Sequence, residues 1–268
     1  MNEVLFYPQD DLYIPTDLAV SPWHPSLLHG GSPAGLLSYG LEQLHPGEGF
    51  QLGRVNFDLI RPVPKAPLAM ESSVIRDGGR LKLYEAVLKA EGKVVAIAQG
   101  LYIRQIAIKL PDYAALPEKL QPLPHTLKNI NFDSVFASKD ITIPPGLHTI
   151  VDLRPIQPMQ EQGSGQAWMA ISVPIIEGVE NTPAMQVGLL SDFGNGIGQL
   201  NLGNNVGMIN ADICLHLHRL PTTKWIGFDS ITYAEPNGIG MVKTRLYDEE
   251  SAIGEITQSV MTMAEFEG

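Results

Sequence analysis

The sequence predicts an α+β fold in which one structural unit occurs twice. In each half of the chain, a single apolar helix is followed by strand-like runs that hairpin turns separate. The two helices also share a string of letters, because GLLS occurs at residues 35–38 and again at 188–191. Two further short matches follow these helices in the same order in both halves. Ordered matches at nearly constant spacing indicate an internal duplication.

The first half, residues 1–106, contains one predicted helix and an antiparallel meander. Ser32 is a good N-cap and Pro33 suits the first helical position, so a helix is expected from here to about Leu44. Alternating apolar residues then predict four strands, at residues 50–61, 67–76, 81–90 and 94–104.

The middle of the chain, residues 107–147, is rich in proline and weakly periodic. Such a composition is typical of a linker that lies across a surface. One short element is expected near residues 130–136.

The second half, residues 148–268, repeats the pattern. Thr182 followed by Pro183 predicts the start of a helix that runs into the glycine-rich stretch 194–203. Strands are expected at residues 149–154, 166–173, 208–219, 225–234, 240–247 and 252–263.

The two halves differ at one chemically important position. The string GLLS is followed by Asp192 in the second helix but by Tyr39 in the first. Arg61 matches Arg219 at the end of a long strand, and Gln99 matches Gln258 in the last strand of each half. The pattern predicts a duplicated fold with one working acid.

Composition excludes several classes of partner. The 268 residues carry a net charge of −11, so neither nucleic acid nor an anionic membrane surface would be attracted. No apolar run is long enough for a membrane helix, and the N-terminus lacks the features of a signal peptide. The one cysteine, Cys214, allows no internal disulfide. A cytoplasmic protein is expected.

Four strings carry a resemblance to a known family. They are His29-Gly30-Gly31 before the first helix, GLLSD at residues 188–192, NADICLHLHR at 210–219, and TQSVM at 257–261. Together they resemble the acyl-CoA thioesterase II family and its thioesterase-like relatives. The resemblance implies a double hot-dog fold, in which two helix-wrapped antiparallel sheets are joined in one chain. It also leaves a homo-oligomer open, because hot-dog sheets commonly pair through their outer faces.

The resemblance further implies an acyl thioester substrate and a set of catalytic residues. In that family an Asp, a Thr or Ser, and a Gln hold the hydrolytic water. These positions fall on Asp192, Asn210 and Gln258, so an amide replaces the hydroxyl. The implied reaction needs no cofactor and no metal.

These residue types suit thioester hydrolysis. Asp192 would act as the general base, and burial is expected to raise its pKa and improve its basicity. Gln258 and Asn210 would orient the water through their amides. The loop of His29, Gly30 and Gly31 would bind substrate, with backbone N–H groups facing the developing oxyanion.

Other functions remain as alternatives. The replacement at Asn210 would also fit a non-catalytic module that binds an acyl chain or another hydrophobic ligand. An α/β-hydrolase is disfavoured because the chain has no G-x-S-x-G motif. A hydratase is disfavoured because no histidine follows Asp192 closely. His216 and His218 share a strand face, but a metal site there lacks further ligands. Arg61 and Arg219 are candidates for contact with CoA phosphates.

Overall fold

Residues 3–114, 118–130, 145–203 and 206–263 are described by the computed structural model of the chain. Within these ranges the chain forms four α-helices: α1 (Gly31–Glu42), α2 (Leu147–Ile150), α3 (Pro183–Leu190) and α4 (Gly194–Ile197). Short 3₁₀ turns occupy Asp17–Ala19, Pro124–Thr126 and Ser191–Phe193. No helix in the described part of the chain is both long and apolar enough to span a membrane.

Strands make up most of the remaining described structure. They are β1 (Phe6–Gln9), β2 (Leu12–Pro15), β3 (Phe50–Asp58), β4 (Leu68–Asp77), β5 (Leu81–Ala90), β6 (Lys93–Arg104), β7 (Val151–Pro155), β8 (Ser164–Ile171), β9 (Met208–Asn210), β10 (Asp212–Leu217), β11 (Ile226–Ala234), β12 (Ile239–Tyr247) and β13 (Ala252–Thr262).

These strands form one sheet in the order β1-β2-β4-β5-β6-β3-β10-β13-β12-β11-β8-β7, with β9 paired to β13. Every pair of neighbouring strands in this sheet is antiparallel. The ladder between β3 and β10 joins the strands of the first half to those of the second. A large antiparallel sheet with few helices confirms the α+β prediction.

Helices α1 and α3 pack against each other through their shared GLLS strings. A β-carbon on Gly188 would overlap the Ser38 hydroxyl, and one on Gly35 would lie 3.1 Å from the β-carbon of Leu189. The glycine of each string therefore faces the other string. Because neither glycine carries a side chain, the two helices can approach closely.

The predicted N-cap of α1, Ser32, is wrong by two residues. The helix begins at Gly31 with Gly30 as its N-cap, so Ser32 already lies inside it. The buried Ser32 hydroxyl donates to the carbonyl of Ala19 at 2.9 Å, which satisfies it without a capping role. In contrast, the Thr182 side chain caps α3 as predicted, accepting from the Met185 amide at 3.1 Å.

Other boundaries also differ from the sequence prediction. The strand expected at 149–154 begins only at Val151, because residues 147–150 form α2. Helix α3 ends at Leu190 and continues as the 3₁₀ turn and α4, not as one helix. The strand predicted at 208–219 is interrupted at Ala211, so it forms β9 and β10. At 130–136, Ile130 forms a bridge to Leu153, and the residues after it lie outside the described part.

The match between Gln99 and Gln258 is wrong by one residue. Aligning Arg61 with Arg219 places Asn56 on Cys214, and these two pair with Gln99 and Thr257 respectively. Gln258 therefore aligns with Gly100. Since side chains alternate across a strand, the slip places the two glutamines on opposite faces. Gln258 is fully buried, whereas Gln99 is half-buried and donates to Glu85 at 2.9 Å.

Candidate functional site

Asp192 lies in the 3₁₀ turn Ser191–Phe193, directly after α3. Asp192 contacts the start of α1, because its carboxylate accepts from the Gly31 amide. Its side chain is buried. A buried carboxylate needs hydrogen-bond donors or a nearby cation to remain ionised.

Donors from both halves of the chain surround this carboxylate. The Gly31 amide donates to Asp192 Oδ2 at 2.9 Å, and Asn210 Nδ2 donates to Oδ1 at 2.8 Å. His29 Nδ1 lies 2.8 Å from Oδ2. The structure thus brings His29 and Gly31 of the first half to the acid and amide of the second.

Gly30 completes this arrangement by leaving space. A β-carbon on Gly30 would lie 2.8 Å from each carboxylate oxygen of Asp192, which is closer than real β-carbons approach other atoms. The His29 ring stacks on Phe193, with the ring centroids 4.6 Å apart. The three residues of this string thus act on one carboxylate: the His29 ring contacts it, Gly30 leaves space for it, and the Gly31 amide donates to it.

The pKa of Asp192 is lowered, contrary to the expectation that burial would raise it. Burial does push the pKa upward, but the charge and hydrogen bond of His29 act in the opposite direction. The hydrogen bonds from Asn210 and Gly31 add to the lowering. Burial and partners therefore compete, and the partners prevail.

Gln258 and Asn210 converge on the backbone of the same residue. Asn210 Nδ2 also donates to the Asp192 carbonyl at 3.1 Å, and Gln258 Nε2 lies 3.4 Å from that oxygen. Their amide oxygens, Asn210 Oδ1 and Gln258 Oε1, are buried and have no hydrogen-bond partner among the described residues. Two unpaired acceptors beside a carboxylate favour a donor-rich guest such as water.

Sequence reasoning missed a pair of buried hydroxyls next to Gln258. Ser230 and Thr244 face each other across β11 and β12, with their hydroxyl oxygens 2.8 Å apart. A β-carbon on Gly194 would lie 2.6 Å from Gln258 Oε1 and 2.8 Å from the Thr244 hydroxyl. The sequence signal for this pair is a Ser and a Thr at inward-facing positions of two strands in which burial alternates.

The Gly31 amide is not free to bind an oxyanion, because it donates to Asp192. Among the described residues, no hydrogen bond of the Gly30 amide is found. Of the two glycine amides in the predicted loop, Gly30 is thus the one left for a substrate oxygen.

Arg219 is committed to a structural ion pair. Its guanidinium donates to both carboxylate oxygens of the buried Asp248, at 2.6 and 2.5 Å. Although burial raises the pKa of Asp248, Arg219 and backbone amides outweigh that effect and hold it below its ordinary value. Arg61 donates instead to the carbonyl of Val94 at an exposed position.

The histidines of β10 and the residue after it serve other contacts. His216 Nδ1 lies 3.6 Å from Cys214 Sγ, and His218 Nε2 lies 2.9 Å from the Ala252 carbonyl. In the described ranges, no group of three or more His, Cys, Asp or Glu side chains is arranged to hold a metal ion.

Two cavities lie away from the Asp192 cluster. One of about 480 Å³ is lined by Lys128, Ile130 and residues 155–159, and one of about 260 Å³ is lined mainly by polar residues between Gln157 and Asp229. Neither is lined by Asp192, Asn210 or Gln258.

His29 lies against Asp192, so a histidine is present at the acid, contrary to the sequence-based expectation that disfavours a hydratase. That expectation rests on the absence of a histidine shortly after Asp192, yet His29 reaches Asp192 from the other half. Distance along the chain was the wrong measure for a site built from two halves.

Many solved structures share the fold with this chain, and three of them are as follows. A protein assigned as a thioesterase II from Thermobifida fusca YX has a TM-score of 0.71 at 14 % identity, with 97 % of each chain covered. A hot dog fold protein from Alicyclobacillus acidocaldarius has a TM-score of 0.71 at 13 % identity, covering 97 % of this chain and 96 % of that one. The acyl-CoA thioesterase II TesB2 from Mycobacterium marinum has a TM-score of 0.64 at 16 % identity, covering 99 % and 96 %.

Such low identities establish the fold alone. A comparison with curated proteins finds no significant match.

Family models are more informative. The acyl-CoA thioesterase N-terminal domain matches residues 19–103, and the acyl-CoA thioesterase C-terminal domain matches residues 117–262. Because the second match alone spans more than half of the sequence, this chain belongs to the acyl-CoA thioesterase family.

Proposed function

We propose that this chain hydrolyses an acyl thioester of the acyl-CoA type at the Asp192 cluster. The observation that carries the proposal is the pair of buried, unpaired amide oxygens of Asn210 and Gln258 beside a buried carboxylate. A water molecule placed there can donate to an amide oxygen and to Asp192. Its oxygen lone pair then remains for attack on a carbonyl carbon.

In the proposed mechanism Asp192 is the general base. It takes a proton from water as the water oxygen attacks the thioester carbon, and the carbonyl oxygen becomes an oxyanion. Asn210 and Gln258 orient the water, and the Gly30 amide donates to the oxyanion. Collapse of the intermediate breaks the carbon–sulfur bond and releases a carboxylic acid and a thiolate, which takes up a proton from solvent while Asp192 returns its proton to solvent. The lowered pKa of Asp192 keeps the carboxylate ionised, and it also makes the carboxylate a weaker base than the sequence-based expectation of a raised pKa implied.

We further propose a double hot-dog architecture. One hot-dog unit covers residues 1–106, a proline-rich linker covers 107–147, and a second unit at 148–268 carries the acid. The paired helices α1 and α3 support this division, as does the agreement of strand order on the two sides of the β3–β10 ladder. The substrate would lie where the two units meet, since His29 and Asp192 meet there.

The test is a panel of acyl-CoA thioesters assayed for release of free thiol. Wild type should release thiol, and Asp192→Asn should be slower by about 10²–10⁴-fold, which is the usual contribution of general base catalysis. Asp212→Asn is a matched control, because Asp212 lies near the site in sequence but accepts from the Ser259 amide outside it. An Asp192→Asn variant as fast as wild type would show that the base is wrong.

The same panel separates the alternatives. Tight binding of acyl-CoA with no thiol released over hours would identify a non-catalytic acyl-binding module. A 2-enoyl thioester in the panel tests for hydration, which removes the conjugated double bond without releasing thiol.

A further inference from the structure

The contact between His29 and Asp192 gives the site a second titratable group. His29 Nδ1 lies 2.8 Å from Asp192 Oδ2 and 3.2 Å from the Gly31 amide nitrogen. A ring nitrogen cannot both donate to the carboxylate and accept from the amide. With a proton on Nδ1, the Gly31 amide is left to Asp192 alone, at 2.9 Å. This is the mutually consistent set, because it gives Oδ2 of the carboxylate two donors.

The ring is held in one orientation by three elements. Asp192 fixes Nδ1, Phe193 stacks on one face with an interplanar angle of 21°, and Gly30 leaves room for the carboxylate beside it. Within the described residues, Nε2 makes no hydrogen bond, and the His29 side chain keeps 13 % of its surface exposed. The nitrogen opposite the carboxylate is therefore free to meet a substrate.

On the basis of the proposed thioester hydrolysis, we propose that His29 is a catalytic acid that protonates the leaving group through Nε2. In the doubly protonated ring, Nδ1–H stays with Asp192 while Nε2–H is available for transfer. The two halves of the chain would then divide the chemistry. The second half supplies the base, and the first supplies the acid.

The steps balance without any co-reactant. Water adds to the carbonyl carbon and gives one proton to Asp192. As the intermediate collapses, the bond from carbon to the leaving atom breaks, and its electron pair takes the Nε2 proton of His29. Asp192 then holds a proton and His29 is neutral. Proton exchange with bulk water restores the starting pair.

An acid in the site extends the range of substrates. A thiolate can depart without a proton, because it is a weak base. An alkoxide is a far stronger base and departs slowly unless it is protonated during bond cleavage. A site with a proton donor should therefore hydrolyse alkyl oxygen esters as well as thioesters of the same acyl group.

The experiment compares leaving groups of rising basicity on one acyl chain: an aryl thioester, the CoA thioester, an aryl ester and an ethyl ester. The test variant is His29→Asn, whose side-chain amide can keep the hydrogen bond to Asp192 but cannot transfer a proton. We expect it to lower kcat by less than about 10-fold for the aryl thioester and by about 10²–10⁴-fold for the ethyl ester. A purely structural role would lower all four rates equally.

Each outcome decides one question. An equal loss across the series overturns the acid role and leaves the proposed hydrolysis intact. Wild type that hydrolyses none of the four substrates overturns the proposed function itself. Should His29→Asn fail to fold, wild type alone still gives an answer. Rates that depend weakly on leaving-group basicity support the acid, whereas a steep decline toward the ethyl ester overturns it.

Discussion

Gly30 and Asp192 are in such close contact that a single added β-carbon would lie 2.8 Å from both carboxylate oxygens. The backbone at Gly30 has φ −57° and ψ −28°, which alanine adopts without strain. The glycine is therefore required by the carboxylate and not by the backbone. This separation of causes gives a clean experiment.

Gly30→Ala should displace Asp192 and lower kcat for thioester hydrolysis by about 10²-fold, since displacements near 1 Å have that effect. Gly79→Ala is the control, because a β-carbon there meets nothing within 4 Å. Steady-state rates of thiol release measure both. Wild-type activity in Gly30→Ala would contradict the described contact.

The two matched glutamines should behave differently. Gln258→Leu keeps the volume of a buried side chain but removes both the oxygen and the nitrogen of its amide group, so kcat/KM should fall by about 10²-fold. Gln99→Leu should leave kcat/KM near that of wild type, because Gln99 faces away from the site and contacts Glu85. Equal losses in the two variants would count against the one-residue shift between the halves.

The pair of Arg219 and Asp248 predicts a pH-dependent difference in stability. The pKa of Asp248 is lowered in the folded chain, so its ionised form stabilises the fold above the ordinary value of 3.8. Asp248→Asn should lower the free energy of unfolding at pH 7 by about 2 kcal/mol. This difference should shrink as the pH falls below 3.8, because the unfolded wild type then binds a proton more readily than the folded chain.

Urea unfolding from neutral to acidic pH measures the effect. Asp77→Asn is the control, since its side chain is 63 % exposed and its carboxylate forms a surface ion pair with Lys82. A difference between Asp248→Asn and wild type that stays constant with pH would rule out the ionised carboxylate as its source.

Gly188→Ala tests the contact between the helices. Its β-carbon would overlap the Ser38 hydroxyl, and overpacking of this kind lowers the free energy of unfolding by about 1–3 kcal/mol. Gly196→Ala in α4 adds a β-carbon in open space, so it should not destabilise the chain. Urea midpoints of the two variants give the comparison, and equal midpoints would argue against close packing of α1 and α3.

Most of the sheet could be predicted from the sequence, because alternating burial is a local signal. The strands at 81–90 and 225–234 agree with β5 and β11 to within one residue. The start of α1 is harder to predict from the sequence. Ser32 has the side chain of a helix cap, but its hydroxyl donates to the carbonyl of Ala19 in the folded chain. The tertiary hydrogen bond therefore outweighs the preference of serine for the N-cap position.

The site could be predicted only in part. Asp192 and Gln258 stand in recognisable strings, and the structure brings them together with Asn210. The contact of Asp192 with His29 could not be predicted from the sequence, because it depends on how the two halves of the chain pack together. For the same reason the sequence predicts the burial of Asp192 but not the neighbouring ring that lowers its pKa.

The docking of α1 on α3 also has a consequence for how the two halves have diverged. Two identical separate subunits would meet through an isologous interface, so any acid in one would appear in both. Covalent linkage removes that constraint and keeps the partner half at a high effective concentration. The two linked halves can therefore carry different residues at matching positions, as Tyr39 and Gly100 do at the positions that match Asp192 and Gln258. On the proposed double hot-dog architecture, covalent linkage therefore permits one specialised site in place of two symmetric ones.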